Sequence, residues 1–244
     1  MPARSVKAPP GIAFFDFDNT LIHGDAGPLF GKHLFSVRRQ NLSRPRRLFL
    51  SLRYVPYIFW MVVQRILYAV RARRRSSLVR SAYRGLKGVP VDLFESDLDR
   101  FIDDAIPPRI YPELVAEVQM HLKAGRRCVV VTTGMEQVVT GALRYFPPGV
   151  ETIGCRMRER NGRLTGRVVG PLFGVDKANI MHAYARALRI ELGHCWAYSD
   201  HFSDKQMLEA VGHPVAVNPR GRLRKLALRN GWKVIDPEPR EAKV

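Results

Sequence analysis

Short apolar runs alternate with amphipathic stretches along this chain. Gly11 to Phe17, apolar up to Asp16, predicts a first strand. From there to about Ala105 the pattern is helical in flavour, with few strand alternations. Leu114, Val118 and Leu122 recur every four residues and predict an amphipathic helix stopped near Gly125. A second strand is predicted over Arg127–Thr132. The helix after Met135 runs to Tyr145, where Pro147-Pro148-Gly149 breaks it. Thr152–Arg160 and Arg163–Val169 flank Asn161-Gly162, a strong two-residue hairpin signal. A helix over Ala178–Leu188, a strand over Cys195–Tyr198 and a helical stretch over Asp204–Val211 with Ser203 as its cap follow. Then come a strand over Pro214–Val217, a helix from Asn218-Pro219 to Asn230 ended by Gly231, and an edge strand over Trp232–Ile235. Strands alternating with helices predict an α/β fold with a doubly wound parallel sheet. The helical region between the first two strands reads as an inserted cap, giving a core of residues 1–25 and 106–244 and a cap of residues 26–105.

Composition narrows the class. At 244 residues and 46% hydrophobic the chain can bury a real core. Cys128, Cys155 and Cys195 have no metal-ligand spacing and fit packing roles in a reducing compartment. His23, His33, His182, His194 and His213 share no ligand spacing and read as surface or packing residues. The N-terminus shows no secretory pattern, so a cytoplasmic location is expected.

Charge changes the picture more. The net charge is +18, and residues 26–91 hold fifteen Lys and Arg with no Asp or Glu. Elsewhere 25 basic residues are nearly offset by 22 acidic ones. The excess therefore belongs to the insertion, and points to an anionic partner. Within it Leu48 to Val70 is apolar and aromatic, but Arg53, Pro56, Gln64 and Arg65 interrupt it. Its uninterrupted centre, Tyr54–Val63, is too short for the roughly 20 residues of a membrane span. Arginine clusters on both flanks give it the pattern of an interfacial segment, and so of peripheral contact with an anionic membrane surface. A cap with its own core and a solvated basic face is the alternative. Nucleic acid fits less well, because the stretch is apolar and carries no recognised binding motif.

The chemistry concentrates at strand ends. Asp16 and Asp18 stand two apart after the first strand, so they share a face at the edge where open α/β sheets bind ligands. Two such carboxylates call for a cation, and Mg²⁺ suits oxygen donors. Alone, Asp16-Phe17-Asp18-Asn19-Thr20 is equally good turn chemistry. Thr132-Thr133-Gly134 closes the second strand, where a hydroxyl and an amide N–H at a helix N-terminus would hold phosphoryl oxygens; a simple cap is the plain reading. Lys177 follows in Gly174-Val175-Asp176-Lys177, and Asp200 and Asp204 close Tyr198-Ser199-Asp200-His201-Phe202-Ser203-Asp204.

This order resembles the haloacid dehalogenase superfamily: an Asp-x-Asp strand, a Thr strand, a Lys, then an acidic strand, spread over most of the chain. The ending of the acidic motif and Gly212-x-Pro214-x-Ala216-Val217-Asn218-Pro219 look most like its phosphoserine phosphatase-like branch. The resemblance implies a Mg²⁺-dependent phosphomonoester hydrolase. Asp16 would be the nucleophile forming an aspartyl-phosphate, and Asp18 the general acid and then base. Thr132 and Lys177 would hold the phosphoryl group, with Thr133 and Gly134 binding substrate. Asp16, the Asp18 carbonyl and Asp200 would bind the metal, with Asp204 an outer ligand or a group orienting the site. His201 departs from the small residue expected there. Asp25 stands near the place of a Glu that meets the substrate ammonium in phosphoserine phosphatases, and its shorter side chain argues against phosphoserine itself. A phosphatidylglycerophosphate phosphatase of this branch also carries an apolar, basic insertion, so a membrane-associated phospholipid phosphate is the first substrate expected. A soluble phosphatase of phosphoserine or histidinol phosphate type is the rival, and a catalytically silent basic adaptor is the reading from another class.

Overall fold

The structure, a computed structural model, describes residues 11–40, 83–84, 86–170 and 174–238. The apolar run Leu48–Val70 and its arginine flanks lie outside the described residues.

Strand β1 (Ile12–Phe15) has all four residues buried, as a strand covered on both faces must. Helices α1 (Ala26–Gln40) and α2 (Val91–Ala105) follow, then α3 (Pro112–Lys123). Next come β2 (Arg127–Met135), α4 (Glu136–Ala142), β3 (Val150–Arg160), β4 (Arg163–Val169) and α5 (Gly174–Ala187). The chain closes with β5 (Trp196–Ser199), α6 (Lys205–Glu209), β6 (His213–Val217), α7 (Gly221–Arg229) and β7 (Lys233–Ile235). The strands form one seven-stranded sheet in the order β4-β3-β2-β1-β5-β6-β7. Every neighbouring pair is parallel except the β3–β4 hairpin. This is the doubly wound α/β sheet that the alternation of elements predicts.

Residue alternation along β1 splits the core into two layers. Ala13 and Phe15 pack with Cys128, Val130, Tyr198 and Val215 beneath α2, α3 and α4. Ile12 and Phe14 pack with Val129, Val131, Ala197 and Ala216 beneath α5, α6 and α7. The described parts of the insertion join the first layer: Phe30 of α1 meets Phe94 and Phe101 of α2 at centroid distances of 5.8 and 5.2 Å. Gly141 permits α2 and α4 to close up, since a Cβ there would stand 2.4 Å from Ile102 Cδ1.

The hairpin turns at Asn161-Gly162 with positive φ at both residues (51° and 66°), as its sequence predicts. Other predicted boundaries shift for identifiable reasons. β2 runs past Thr132 to Met135 through an irregular register after Val131. The C-terminal helix starts at Gly221 instead of Asn218, whose φ of 43° is incompatible with opening a helix. A tight 3₁₀ turn over Phe202–Asp204 precedes the short α6, and its cap is the His201 side chain, which accepts from the Ser203 N–H at 3.0 Å; Ser203 is not the cap. The buried stripe of α3 ends on His121, with Leu122 only half-buried.

All three cysteines are buried free thiols, with burial pushing Cys128 up to about 12 and Cys155 up to about 11. Among the described residues no helix is long and apolar enough to cross a membrane.

Candidate active site

The parallel pair β1–β5 builds the centre. Phe15 is level with Tyr198, and the Asp16 N–H donates to the Tyr198 carbonyl at 2.9 Å, carrying the ladder one residue further. Asp16 leaves β1 at its C-terminal edge, 7% exposed. Asp200 stands two residues past Tyr198, half-buried, on the neighbouring strand end. The Asp16 carboxylate is held on both sides. Its Oδ1 accepts from the Phe17 N–H at 2.8 Å and lies 2.7 Å from Lys177 Nζ.

Lys177 enters from the first turn of α5, 2% exposed. Its Nζ bridges Asp16 Oδ1 and Asp204 Oδ2, both at 2.7 Å. Asp204 Oδ2 also accepts from Ser199 Oγ at 2.9 Å, and Oδ1 accepts from Ser203 Oγ at 3.3 Å. Both Asp204 oxygens are thereby engaged in holding Lys177 and the strand end. Ser199 is a site residue that the motif reading passed over; its only sequence signal was its place between Tyr198 and Asp200.

Asp18 hangs from the loop that reverses after β1. Its Oδ1 accepts from the Ala26 N–H, the first amide of α1, at 2.8 Å. The loop is knit by Asn19, whose side-chain carbonyl accepts from the Gly24 N–H at 3.0 Å and whose amide donates to Asp25 Oδ1 at 2.9 Å. Asn218 Nδ2 donates to the Asn19 carbonyl at 3.3 Å, tying the loop after β6 to the loop after β1. Asp25 is exposed and so serves the loop itself.

Thr132 is buried near these carboxylates, and its Oγ1 accepts from the Gly134 N–H at 2.9 Å. A Cβ on Gly134 would stand 3.2 Å from Thr132 Oγ1 and 3.8 Å from Asp18 Oδ2, so the glycine is flanked by both. One expectation needs correcting. Thr133 and Gly134 are not at a helix N-terminus: they lie in the irregular end of β2, and α4 begins only at Glu136.

The electrostatics are unbalanced. Burial, opposed by Lys177 and reinforced by Asp204, pushes the Asp16 carboxyl up to about 6. Burial, opposed by the Ala26 N–H and reinforced by Asp16 and Asp25, pushes Asp18 up to about 7. Burial alone would also raise Asp204, but Lys177 and the Ser199 hydroxyl hold it below the usual carboxylate range. Lys177 shows the opposite balance: burial disfavours its charge, and Asp16 and Asp204 more than offset that. One buried ammonium therefore faces more carboxylate than it neutralises.

Among the described residues, no three His, Cys, Asp or Glu side chains group as a metal site. The donor set expected here asks for fewer side chains: two carboxylates, Asp16 and Asp200, and a backbone carbonyl, that of Asp18. Those oxygens and the surplus negative charge fit a hard divalent cation.

Comparisons with known proteins give the family and the fold. Residues 13–209 match the haloacid dehalogenase-like hydrolase family. Phosphoserine phosphatase SerB1 of Mycobacterium tuberculosis is 35% identical over 240 residues, covering 96% of this chain and 74% of that protein. A solved structure of a protein of unknown function from Bordetella pertussis Tohama I superposes with a TM-score of 0.76 at 27% identity, over 92% of this chain and 97% of that one. A phosphoserine phosphatase solved as a phospho-aspartyl intermediate analogue shares the fold, with a TM-score of 0.63 at 17% identity over 94% of each chain. The chain belongs to the haloacid dehalogenase-like hydrolases.

Proposed function

We infer that this protein is a phosphomonoesterase that works through an aspartyl-phosphate on Asp16. The observation that carries the reading is the pairing of a buried carboxylate, Asp16, and a half-buried one, Asp18, with different tasks. Asp16 is fixed by Phe17 N–H and Lys177, as an attacking oxygen should be. Asp18 is held near neutrality, up to about 7, so that it can carry a proton at the working pH. An Asp16 oxygen attacks phosphorus while the ester P–O bond breaks, and the Asp18 carboxyl protonates the departing oxygen. In the second half Asp18 takes a proton from the water that attacks phosphorus, and Asp16 is released. Thr132 Oγ1, the Thr133 amide and Lys177 hold the phosphoryl oxygens, with the Gly134 N–H orienting the Thr132 hydroxyl. Asp16, Asp200 and the Asp18 carbonyl would hold Mg²⁺, which supplies charge neutralisation to the phosphoryl group. Asp204 positions Lys177. Residues 26–105 are assigned as the inserted cap domain.

For the substrate, similarity to a protein named phosphoserine phosphatase favours a small soluble phosphomonoester. The acid-free, fifteen-fold basic stretch of residues 26–91 favours instead a phosphate displayed on an anionic surface, such as phosphatidylglycerophosphate. Phosphate release with Mg²⁺ from phosphoserine, histidinol phosphate and phosphatidylglycerophosphate in mixed micelles separates the two. Preference for a metabolite retires the lipid reading. Wild-type activity that persists in Asp16→Asn would sink the aspartyl-phosphate route, and inactivity on every ester would return the adaptor reading.

A further inference from the structure

His201 stands between Asp200 and Asp204 and has no part in the chemistry assigned above. Its hydrogen bonds nevertheless lead to both oxygens of Asp204. The His201 N–H donates to Ser199 Oγ at 3.4 Å, and Ser199 Oγ donates to Asp204 Oδ2 at 2.9 Å. The ring Nδ1 lies 2.8 Å from Ser203 Oγ, and Ser203 Oγ donates to Asp204 Oδ1 at 3.3 Å. The first route starts from backbone and is open to any residue but proline. The second belongs to the histidine ring.

The direction of the ring bond is fixed. The Ser203 N–H donates to Nδ1 at 3.0 Å, so Nδ1 carries the lone pair and the neutral ring keeps its proton on Nε2. That one acceptor caps the 3₁₀ turn over Phe202–Asp204 and also borders the Ser203 hydroxyl, which has Nδ1 on one side and Asp204 Oδ1 on the other. The turn is braced elsewhere too. The Asp204 N–H donates to the His201 carbonyl at 3.0 Å, and the Arg222 guanidinium lies 4.0 Å from the centre of the Phe202 ring. Asp204 is buried, yet the ring that leads to its Oδ1 is on the surface.

The consequence falls on Lys177, whose Nζ is shared at 2.7 Å between Asp204 Oδ2 and Asp16 Oδ1. A carboxylate held at both oxygens cannot turn about its Cβ–Cγ bond. One held at Oδ2 alone can, and the turn draws Lys177 away from Asp16. We propose that His201 is a positioning residue: through Ser203 it locks the Asp204 carboxylate, and so keeps Lys177 Nζ beside Asp16. The inference rests on the phosphatase reading above and adds to it a residue that touches no reacting atom.

The test uses the full chain with Mg²⁺ and whichever of phosphoserine, histidinol phosphate and phosphatidylglycerophosphate the wild type hydrolyses. His201→Ala removes the acceptor. It should lower kcat about fivefold, the scale of one lost hydrogen bond, while KM and the Mg²⁺ concentration for half-activity change by less than about twofold. His201→Asn, whose side-chain oxygen can accept from the N–H two residues on, should stay within about twofold of wild type. Ser203→Ala should match His201→Ala, and the double variant should fall no further than either, because both act through one hydroxyl. An Asn variant as slow as the Ala variant would show that the imidazole itself is required, and would overturn the proposal. So would an altered Mg²⁺ requirement at unchanged kcat, which would put the effect at Asp200, or multiplied losses in the double variant, or no loss in His201→Ala. Each of these leaves the phosphatase reading intact. Wild-type protein inert on every ester would overturn both.

Discussion

Two buried polar networks hang on the β5 strand, and they behave differently. The one at the C-terminal edge joins Asp16, Lys177, Asp204 and Ser199. The other lies under α3. There Tyr198 Oη donates to Glu117 Oε2 at 2.7 Å and lies 2.8 Å from His121 Nε2, while Lys233 Nζ meets Glu117 Oε1 at 2.6 Å. Because the Tyr198 proton goes to Glu117, His121 must donate from Nε2, leaving Nδ1 to accept from Arg126 at 3.2 Å. Arg126 also covers Trp196 at 4.0 Å, whose ring stacks on His213 at 4.4 Å. Here the one carboxylate has a cation of its own: burial would raise Glu117, but Lys233 and Tyr198 hold it below its usual range, and burial with Arg126 holds His121 down at about 4, neutral. At the strand edge the carboxylates outnumber their cation and are pushed up to about 6 and 7. A carboxylate held low by its own cation serves packing. Carboxylates in excess of their cation have chemistry left to do.

The largest effect should come from breaking the acidic edge. Asp16→Asn should cut turnover more than about 10³-fold, as loss of a nucleophile does, without unfolding the protein. A loss below about tenfold would place the nucleophile elsewhere. Lys177→Met would leave Asp16 and Asp204 facing each other without their cation, at a cost of about 3–5 kcal/mol at pH 7. That cost should shrink in acid, as the carboxylates protonate. Urea denaturation at pH 7 and pH 5 reads both; no loss at pH 7 would mean that the ion pairs contribute nothing.

The matched network should answer through stability. His121 is depressed from 6.5 to about 4 in the folded state, so between those values the unfolded chain binds the extra proton. Stability contributed by the neutral imidazole is therefore complete above pH 6.5 and lost as pH falls towards 4. His121→Gln, which keeps a donor for Tyr198, should flatten the fall in Tm over that window, and parallel curves for the two proteins would refute the assignment. Least of all, Lys233→Met removes a half-exposed partner of Glu117 and should cost under about 1 kcal/mol, with kcat unchanged. A larger loss, or a fall in kcat, would show that the two networks are coupled through β5.

Much of the fold was legible in residue order. The β-strands announce themselves as short apolar runs, and Asn161-Gly162 sets its hairpin because its two positive φ angles are a local demand. Asp16 and Asp18 were singled out by their spacing at a strand end, and Thr132, Lys177, Asp200 and Asp204 by the order of motifs that resembles the haloacid dehalogenase superfamily. Other features had no local signal. His121 could be turned inward only by a tyrosine 77 positions away, and Ser199 acquires meaning only from the Asp204 carboxylate opposite it. The start of the last helix depended on the strained φ of Asn218, whose side chain is drawn to the Asn19 carbonyl.

The sequence by itself determined the order of strands and helices, through short-range periodicity, and the family, through the order of its motifs. Tertiary structure alone decided how charge is shared among the site carboxylates and Lys177: that Lys177 is bridged between Asp16 and Asp204, and that burial pushes the Asp18 carboxyl up to about 7. Burial and the distance between charges set those properties, and both are made by parts of the chain far apart in sequence.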